Sequence, residues 1–245
     1  MQKNVIVTGG SRGLGFAIAQ NLATAGYQVI AIARQETDQL ACATRPKQSE
    51  RKGSIFFKAF DLEETSGIPG LVKELRKEFG SIHGLVNNAG RGTSGILATM
   101  HDSQIQRLVR LNTVSPIVLT KYAVRSMMAD GGGRIVNIAS IVSFTGYSGL
   151  SVYSATKASI VGFTKSLARE VGPLGITVNA VAPGFLDTEM TESLGESQRE
   201  QIARRSALHR LAEVDDVANA VEFLLSDKAR NITGVVLPVD AGNTA

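Results

Sequence analysis

The sequence predicts an α/β fold: a single domain built on one doubly wound, Rossmann-like parallel sheet of about seven strands, with helices on both faces. Three observations carry this. Short apolar runs of strand length alternate with helical runs along the whole chain. A glycine-rich stretch joins the first strand to the first helix. Nothing in the 245 residues marks a second domain, neither a Pro/Ser-rich linker nor a repeat beyond the βα alternation.

Val5–Thr8 reads as a short buried strand, followed by a glycine turn and a helix to about Ala25. Gln28–Ala33 and Ile55–Phe60 are the second and third strands. Leu71–Phe79 has the apolar period of a helix, and Ile82–Asn87 is the fourth strand. A long helix is expected from Asp102 to Met128, with Pro116 as its point of weakness, because proline has no N–H to give the preceding turn. Arg134–Ala139 is the fifth strand, Ser151–Val171 a helix, and Ile176–Val181 the sixth strand. Asp215–Leu225 is the last helix and Val235–Val239 the last strand. Two stretches stand outside the alternation. Gln35–Gly53 is polar, carries Arg45, Lys47, Arg51 and Lys52, and reads as a solvated loop. Gly184–Arg205 is an insertion with small-helix signals, placed where an active-site lid would sit.

Composition narrows the partners. The net charge is +4 with no dense Lys/Arg run, so the excess suits steering of anionic ligands rather than nucleic-acid binding. The single cysteine, Cys42, cannot form an internal disulfide and fits a reducing compartment. No apolar stretch reaches a membrane span, and a soluble cytoplasmic protein is expected. His83, His101 and His209 lack metal-ligand spacing and read as surface or turn residues, so no metal is expected.

The chemistry-bearing stretch is Tyr153-Ser-Ala-Thr-Lys157. At this spacing on a helix, Tyr153 and Lys157 share one face, one turn apart. A free phenol titrates near ~10 and is a poor base at neutral pH. Bringing it into the neutral range takes roughly 4 kcal/mol of preferential stabilisation of the phenolate. An ammonium beside it acts in that direction, and the helix N-terminus adds a smaller positive contribution. On its own the spacing also suits an ordinary surface helix. Ser140 closes the fifth strand upstream, and Asn112 lies in the long helix before it. Thr8-Gly9-Gly10-Ser11-Arg12-Gly13-Leu14-Gly15 is a strand-turn-helix junction in which backbone N–H groups can face a pyrophosphate.

Serine, tyrosine, lysine and asparagine in this order, behind a G-x-x-x-G-x-G turn, resemble the short-chain dehydrogenase/reductase family from Asn4 to about Gly242. The resemblance implies NADP(H)-dependent oxidoreductase chemistry. Ser140 would hydrogen-bond the substrate oxygen, Tyr153 would be the general acid in reduction, and Lys157 would lower the tyrosine pKa and hold the nicotinamide ribose. Asn112 would anchor a water of the proton path. Gly9, Ser11, Arg12, Gly13, Leu14 and Gly15 would hold the pyrophosphate. Asp61 with Leu62 would receive the adenine, although Asp61 could equally cap the next segment. Asn88, Ala89 and Gly90 belong to the Asn87-Asn-Ala-Gly90 signature beside the adenosine. Pro183, Gly184, Phe185 and Thr188 would pack on the nicotinamide. Arg34, with Arg12, suits a 2′-phosphate and favours NADP, while Glu36 is the acid that would favour NAD.

The runs Ala182–Met190 and Asn231–Val236 are most similar to family members that reduce 3-oxoacyl thioesters carried on acyl carrier protein or CoA. Ile141, Val142, Phe144, Tyr147, Leu150, Phe185, Leu186 and Met190 suggest an apolar mouth. Asp130-Gly-Gly-Gly133 and Pro173-Leu-Gly175 replace the basic residues usual in carrier-protein enzymes, and Arg91-Gly-Thr-Ser-Gly95 is unusual after the signature. A dehydrogenase of a sugar, polyol or steroid alcohol and a non-catalytic cofactor-binding regulator remain the alternatives. Ala155, Ala158 and Gly162 leave a smooth strip on the catalytic helix, and the resemblance implies a homotetramer built as a dimer of dimers.

Overall fold

The computed structural model describes residues 2–45, 52–186 and 195–245. Its seven strands are β1 (Asn4–Thr8), β2 (Gln28–Ala33), β3 (Ser54–Ala59), β4 (Ile82–Asn87), β5 (Gly133–Ile138), β6 (Ile176–Pro183) and β7 (Val236–Val239). They form one parallel sheet in the order β3-β2-β1-β4-β5-β6-β7. The order reverses between β1 and β4, which register side by side from Asn4 to Val7. A crevice opens there at the carboxyl ends of the strands.

Alternation along the strands feeds two cores. Val5 and Val7 face the layer made by α1 (Gly13–Thr24), the short α2 (Asp38–Thr44) and α8 (Val214–Leu225). Ile6 faces the opposite layer, made by α3 (Ile68–Phe79), α5 (Ser115–Ala129) and α6 (Ser151–Val171). Strands buried on both faces have no solvent side, which is why they read as unbroken apolar runs. α4 (Asp102–Val109) and α7 (Glu196–Arg205) lie outside these two layers.

Three expectations need correction. The polar stretch 35–53 is not simply a loop, because it contains α2. Thr37 caps that helix by accepting the Leu40 N–H, and Leu40 and Ala43 are its buried anchors. The expected long helix is two helices, α4 and α5, joined by a π-helical turn over Arg110–Val114. Pro116, at the start of α5, withholds the N–H that an α-helix would give the Asn112 carbonyl. His83 is neither a surface nor a turn residue. It lies in β4 with its ring 6.2 Å from that of Tyr27, and burial, then the Lys3 charge, pushes its pKa down to about 4.

A buried polar chain ties the layers together under the site. Asn87 of β4 donates to Asn137 of β5 at 2.8 Å and to Thr120 of α5 at 2.9 Å. Asn137 in turn donates to Thr164 of α6 at 2.9 Å. Asn137 is fully buried, so its carboxamide has no water to fall back on. Asn137→Leu is therefore expected to lower the free energy of unfolding by about 1–3 kcal/mol, read from urea denaturation midpoints.

Candidate active site

The glycine turn closes against the start of α1. Gly9 and Gly13 hold φ of +67° and +52°, which disfavour a side chain. A Cβ on Gly15 would lie 2.1 Å from the Gly9 carbonyl oxygen and 2.5 Å from Asn88 Nδ2. The turn is braced from the neighbouring strand. The Thr8 hydroxyl accepts the N–H groups of Asn88 and Ala89, each at 2.9 Å, and Asn88 Nδ2 donates to the Thr8 carbonyl at 2.9 Å. Thr8 thus joins the expected residues of the turn as its brace, and its position at the end of β1 is the one sign of this in the sequence. No acidic residue occupies the first turn of α1, so its N-terminal N–H groups stay favourable to an anion.

Two cavities meet at this turn. The larger, about 420 Å³, is lined by Ser140, Tyr153 and Lys157 together with Gly13, Leu14 and Gly15. Asn88, Gly90, Pro183 and Gly184 complete much of its wall. The smaller, about 150 Å³, is lined by Gly9, Arg34, Asp61, Leu62 and Ala89. Arg12 borders both. Asp61 serves partly as a cap, since its Oδ1 accepts the Glu63 N–H at 2.9 Å. Glu36 is exposed and absent from both walls.

Other expected residues stand back from the cavities. The Ser11 carbonyl accepts the Thr37 hydroxyl at 2.7 Å and Ser11 lines neither. Phe185 packs edge-on against Tyr147, with ring centroids 5.5 Å apart, while Leu186 lines the larger cavity. Ile141 and Val142 are buried and absent from that wall, so they do not form the mouth. Thr188 and Met190 lie outside the described residues, as do Lys47 and Arg51.

Ser140 lies two residues past β5 and accepts the Val142 N–H at 3.4 Å, capping the short helical turn Ile141–Ser143 that leads the chain away from the sheet. Tyr153 and Lys157 come from the first turns of α6. Burial raises the Tyr153 pKa above its ordinary 10.0, and a hydrogen bond with Ser140 draws it part of the way back. The expected lowering by Lys157 is not what this arrangement produces. The ammonium lies 5.8 Å from the Tyr153 ring centroid and donates instead to the Ile138 carbonyl at 2.8 Å. Burial lowers the Lys157 pKa from 10.5 to about 8.

Asn112 sits in the π turn, buried, and its carboxamide is fully engaged. Oδ1 accepts the Arg91 N–H and Nδ2 donates to the Arg91 carbonyl, both at 2.9 Å, and Nδ2 also reaches Thr156 Oγ1 at 3.2 Å. It thus clamps the backbone beside Gly90, where a Cβ would come within 3.3 Å of its Oδ1. Among the described residues, no group of three or more His, Cys, Asp or Glu side chains is placed to hold a metal ion. No described helix is long and apolar enough to cross a membrane.

Residues 3–199 match the family described as short chain dehydrogenase. The chain belongs to that family. It is an oxidoreductase of the short-chain type, and curated relatives extend the match to nearly the full length. It is 40% identical over 240 residues to the 3-oxoacyl-[acyl-carrier-protein] reductase FabG of Escherichia coli, covering 98% of this chain and 96% of that protein. Identity to the Staphylococcus aureus FabG is 36% over 242 residues, covering 99% and 98%. Among solved structures, a gluconate 5-dehydrogenase from Burkholderia cenocepacia in complex with NADP and tartrate superposes with a TM-score of 0.92 at 28% identity, covering 100% and 96%. ElxO with NADP bound superposes with a TM-score of 0.90 at 30% identity, covering 99% of each chain.

The buried ammonium has a measurable signature. Below pH 8 the folded chain carries a Lys157 charge that burial disfavours, while the unfolded chain holds the same proton freely up to about pH 10.5. This cost to the folded state is full below pH 8 and fades as pH rises through that window. Relative to wild type, Lys157→Met is expected to gain up to about 3 kcal/mol near neutral pH. The difference should shrink as pH approaches 10.5, read from thermal melts across the range.

Proposed function

We propose that the chain reduces 3-oxoacyl thioesters, carried on acyl carrier protein or CoA, to 3-hydroxyacyl products with NADPH. The observation that carries this reading is one cavity lined by Ser140, Tyr153 and Lys157 that abuts a second lined by Arg34 and Asp61. The relatives named as 3-oxoacyl-[acyl-carrier-protein] reductases support the substrate class.

The chain's residues fit a dinucleotide. The backbone approach at Gly15 leaves no room for a Cβ, and the start of α1 faces the turn with no competing acid. The turn, with Arg12, would hold the pyrophosphate, and Asp61, Leu62 and Ala89 the adenosine. Pro183, Gly184 and Thr188 would pack on the nicotinamide, with Phe185 set back against Tyr147. Arg34 lines the smaller cavity while Glu36 lies off it, which supports NADP over NAD, as do the NADP-bound relatives. Bound there, the reduced nicotinamide supplies a hydride to the carbonyl carbon.

Ser140 Oγ would donate a hydrogen bond to the substrate carbonyl oxygen and fix its direction. Tyr153 would pass its phenolic proton to that oxygen as negative charge develops on it. Burial keeps this proton on the phenol in the free chain, so the group starts as an acid, as reduction requires. Lys157 would hold the ribose hydroxyls and support the phenolate that remains. A water on the Asn112 main-chain carbonyl, which Pro116 leaves without its α-helical donor, would return a proton toward Lys157. The segment 184–205 would act as the lid. Ala155, Ala158 and Gly162 on α6 are exposed, as are Val109, Val114 and Ile117 on and between α4 and α5, which supports pairing of these faces in a cytoplasmic homotetramer.

Purified protein is expected to consume NADPH with acetoacetyl thioesters. Tyr153→Phe should lower kcat by about 100- to 10,000-fold while NADPH still binds; equal turnover by the two proteins would sink the mechanism. The likeness to a gluconate 5-dehydrogenase favours a second reading, oxidation of a polyol or sugar acid. A panel of thioesters and polyols with both cofactors separates the two.

A further inference from the structure

We propose that Arg91 is a second cationic ligand for the cofactor's pyrophosphate, closing over it from the side opposite Arg12. The inference rests on the dinucleotide reading above. Among the residues that line the two cavities, only two are common to both, Arg12 and Arg91. The larger cavity carries the reacting groups and the smaller carries Arg34 and Asp61. The part of a dinucleotide that passes between its two nucleoside ends is the pyrophosphate, and it is the part with negative charge.

The two arginines reach this junction from opposite sides of the strand-order reversal. Arg12 follows β1 and caps α1, whereas Arg91 follows β4, the strand next to β1. The backbone of Arg91 is fixed on both its N–H and its carbonyl by Asn112. Its partly buried guanidinium makes no hydrogen bond or ion pair with the described residues. Nearby acids are otherwise engaged: Glu63 pairs with Arg107 at 3.3 Å, and Asp61 accepts the Glu63 N–H. A guanidinium on a rigid base, with its donors open toward the junction of two cavities, is suited to bidentate contact with phosphate oxygens.

The test is fluorescence titration of wild type, Arg91→Ala and Arg91→Gln with NADPH and with NADH. Because Asn112 holds only backbone atoms of residue 91, both substitutions leave that clamp in place, and thermal melts check it. The dissociation constants of both nucleotides are expected to rise by about ten- to a hundredfold and by the same factor, with their ratio unchanged. A loss confined to NADPH would overturn the proposal, since the guanidinium would then serve the 2′-phosphate. Unchanged nucleotide affinity with a raised KM for the carbonyl compound would overturn it too, placing Arg91 on the substrate. Wild-type protein that binds and turns over while both variants bind as tightly would overturn this inference alone. Wild-type protein that binds neither nucleotide would overturn the functional reading and this with it.

Discussion

A positive charge held inside the protein, with one backbone carbonyl as its hydrogen-bond partner among the described residues, is the constraint around which the site is arranged. Lys157 is 6% exposed, and burial is the only cause that moves its pKa. An ammonium has three donors, and the described residues satisfy one of them, through Ile138. Such an arrangement costs folding free energy and is tolerated where a ligand completes it. The same burial that disfavours the Lys157 charge raises the Tyr153 phenol, so both groups are biased toward their neutral forms in the chain alone. On the proposed reading, a bound cofactor and substrate would make the pair a proton-transferring unit, so that reactivity would follow occupancy of the site.

The scaffold holds these groups by means that have little to do with the reaction. β5 ends in the Ile138 carbonyl, with Ser140 two residues beyond it, and Asn137 binds the strand to β4 and α6. The position of the Ser140 hydroxyl relative to the Lys157 ammonium therefore depends on a buried amide ladder beneath them. On the other wall, hydrogen bonds between Thr8 and Asn88 tie the glycine turn to the end of β4. The site is built at the sheet's topological reversal, from the glycine turn, the residues after β4 and β5, and the first turns of α6.

Much of this was legible in the residues. Each strand is legible to within one or two positions: the inner strands because burial on both faces leaves unbroken apolar runs, and the part-exposed edge strands β3 and β7 because short apolar runs still interrupt the polar sequence around them. Ser140, Tyr153 and Lys157 were picked out by type and spacing, and they line one cavity. Other features had no such mark. α2 has two buried anchors, too few for a period, and its one usable sign was Thr37 ahead of Asp38. The Ile138 carbonyl is a backbone atom, which every residue has, so its role could not show in a side chain. Ile141 and Val142 read as a mouth because apolar residues after a strand look alike whether they line a cavity or fill a core. His83 reads as a surface residue because a lone polar residue inside an apolar run gives no hint of its stacking partner. Arg91 was visible as an oddity after the Asn-Asn-Ala-Gly signature, but its relation to two separate hollows exists only in three dimensions.

The π turn at Arg110–Val114 has a further consequence. Such a turn is an α-helix that has absorbed one surplus residue, and each residue advances a helix by about 100°. Excising a single codon from this stretch would let α4 and α5 merge into one regular cylinder, swinging every side chain upstream through that angle relative to α5. Asn112 would leave the Arg91 backbone, Leu108 would leave its buried place and Pro116 would fall inside a helix it cannot serve, so the shortened protein would lose both thermal stability and its hold on a nucleotide. The extra residue is a small defect kept in an otherwise ordinary rod, with heritable function stored in the irregularity; a deletion variant that lost neither would show that it is mere baggage.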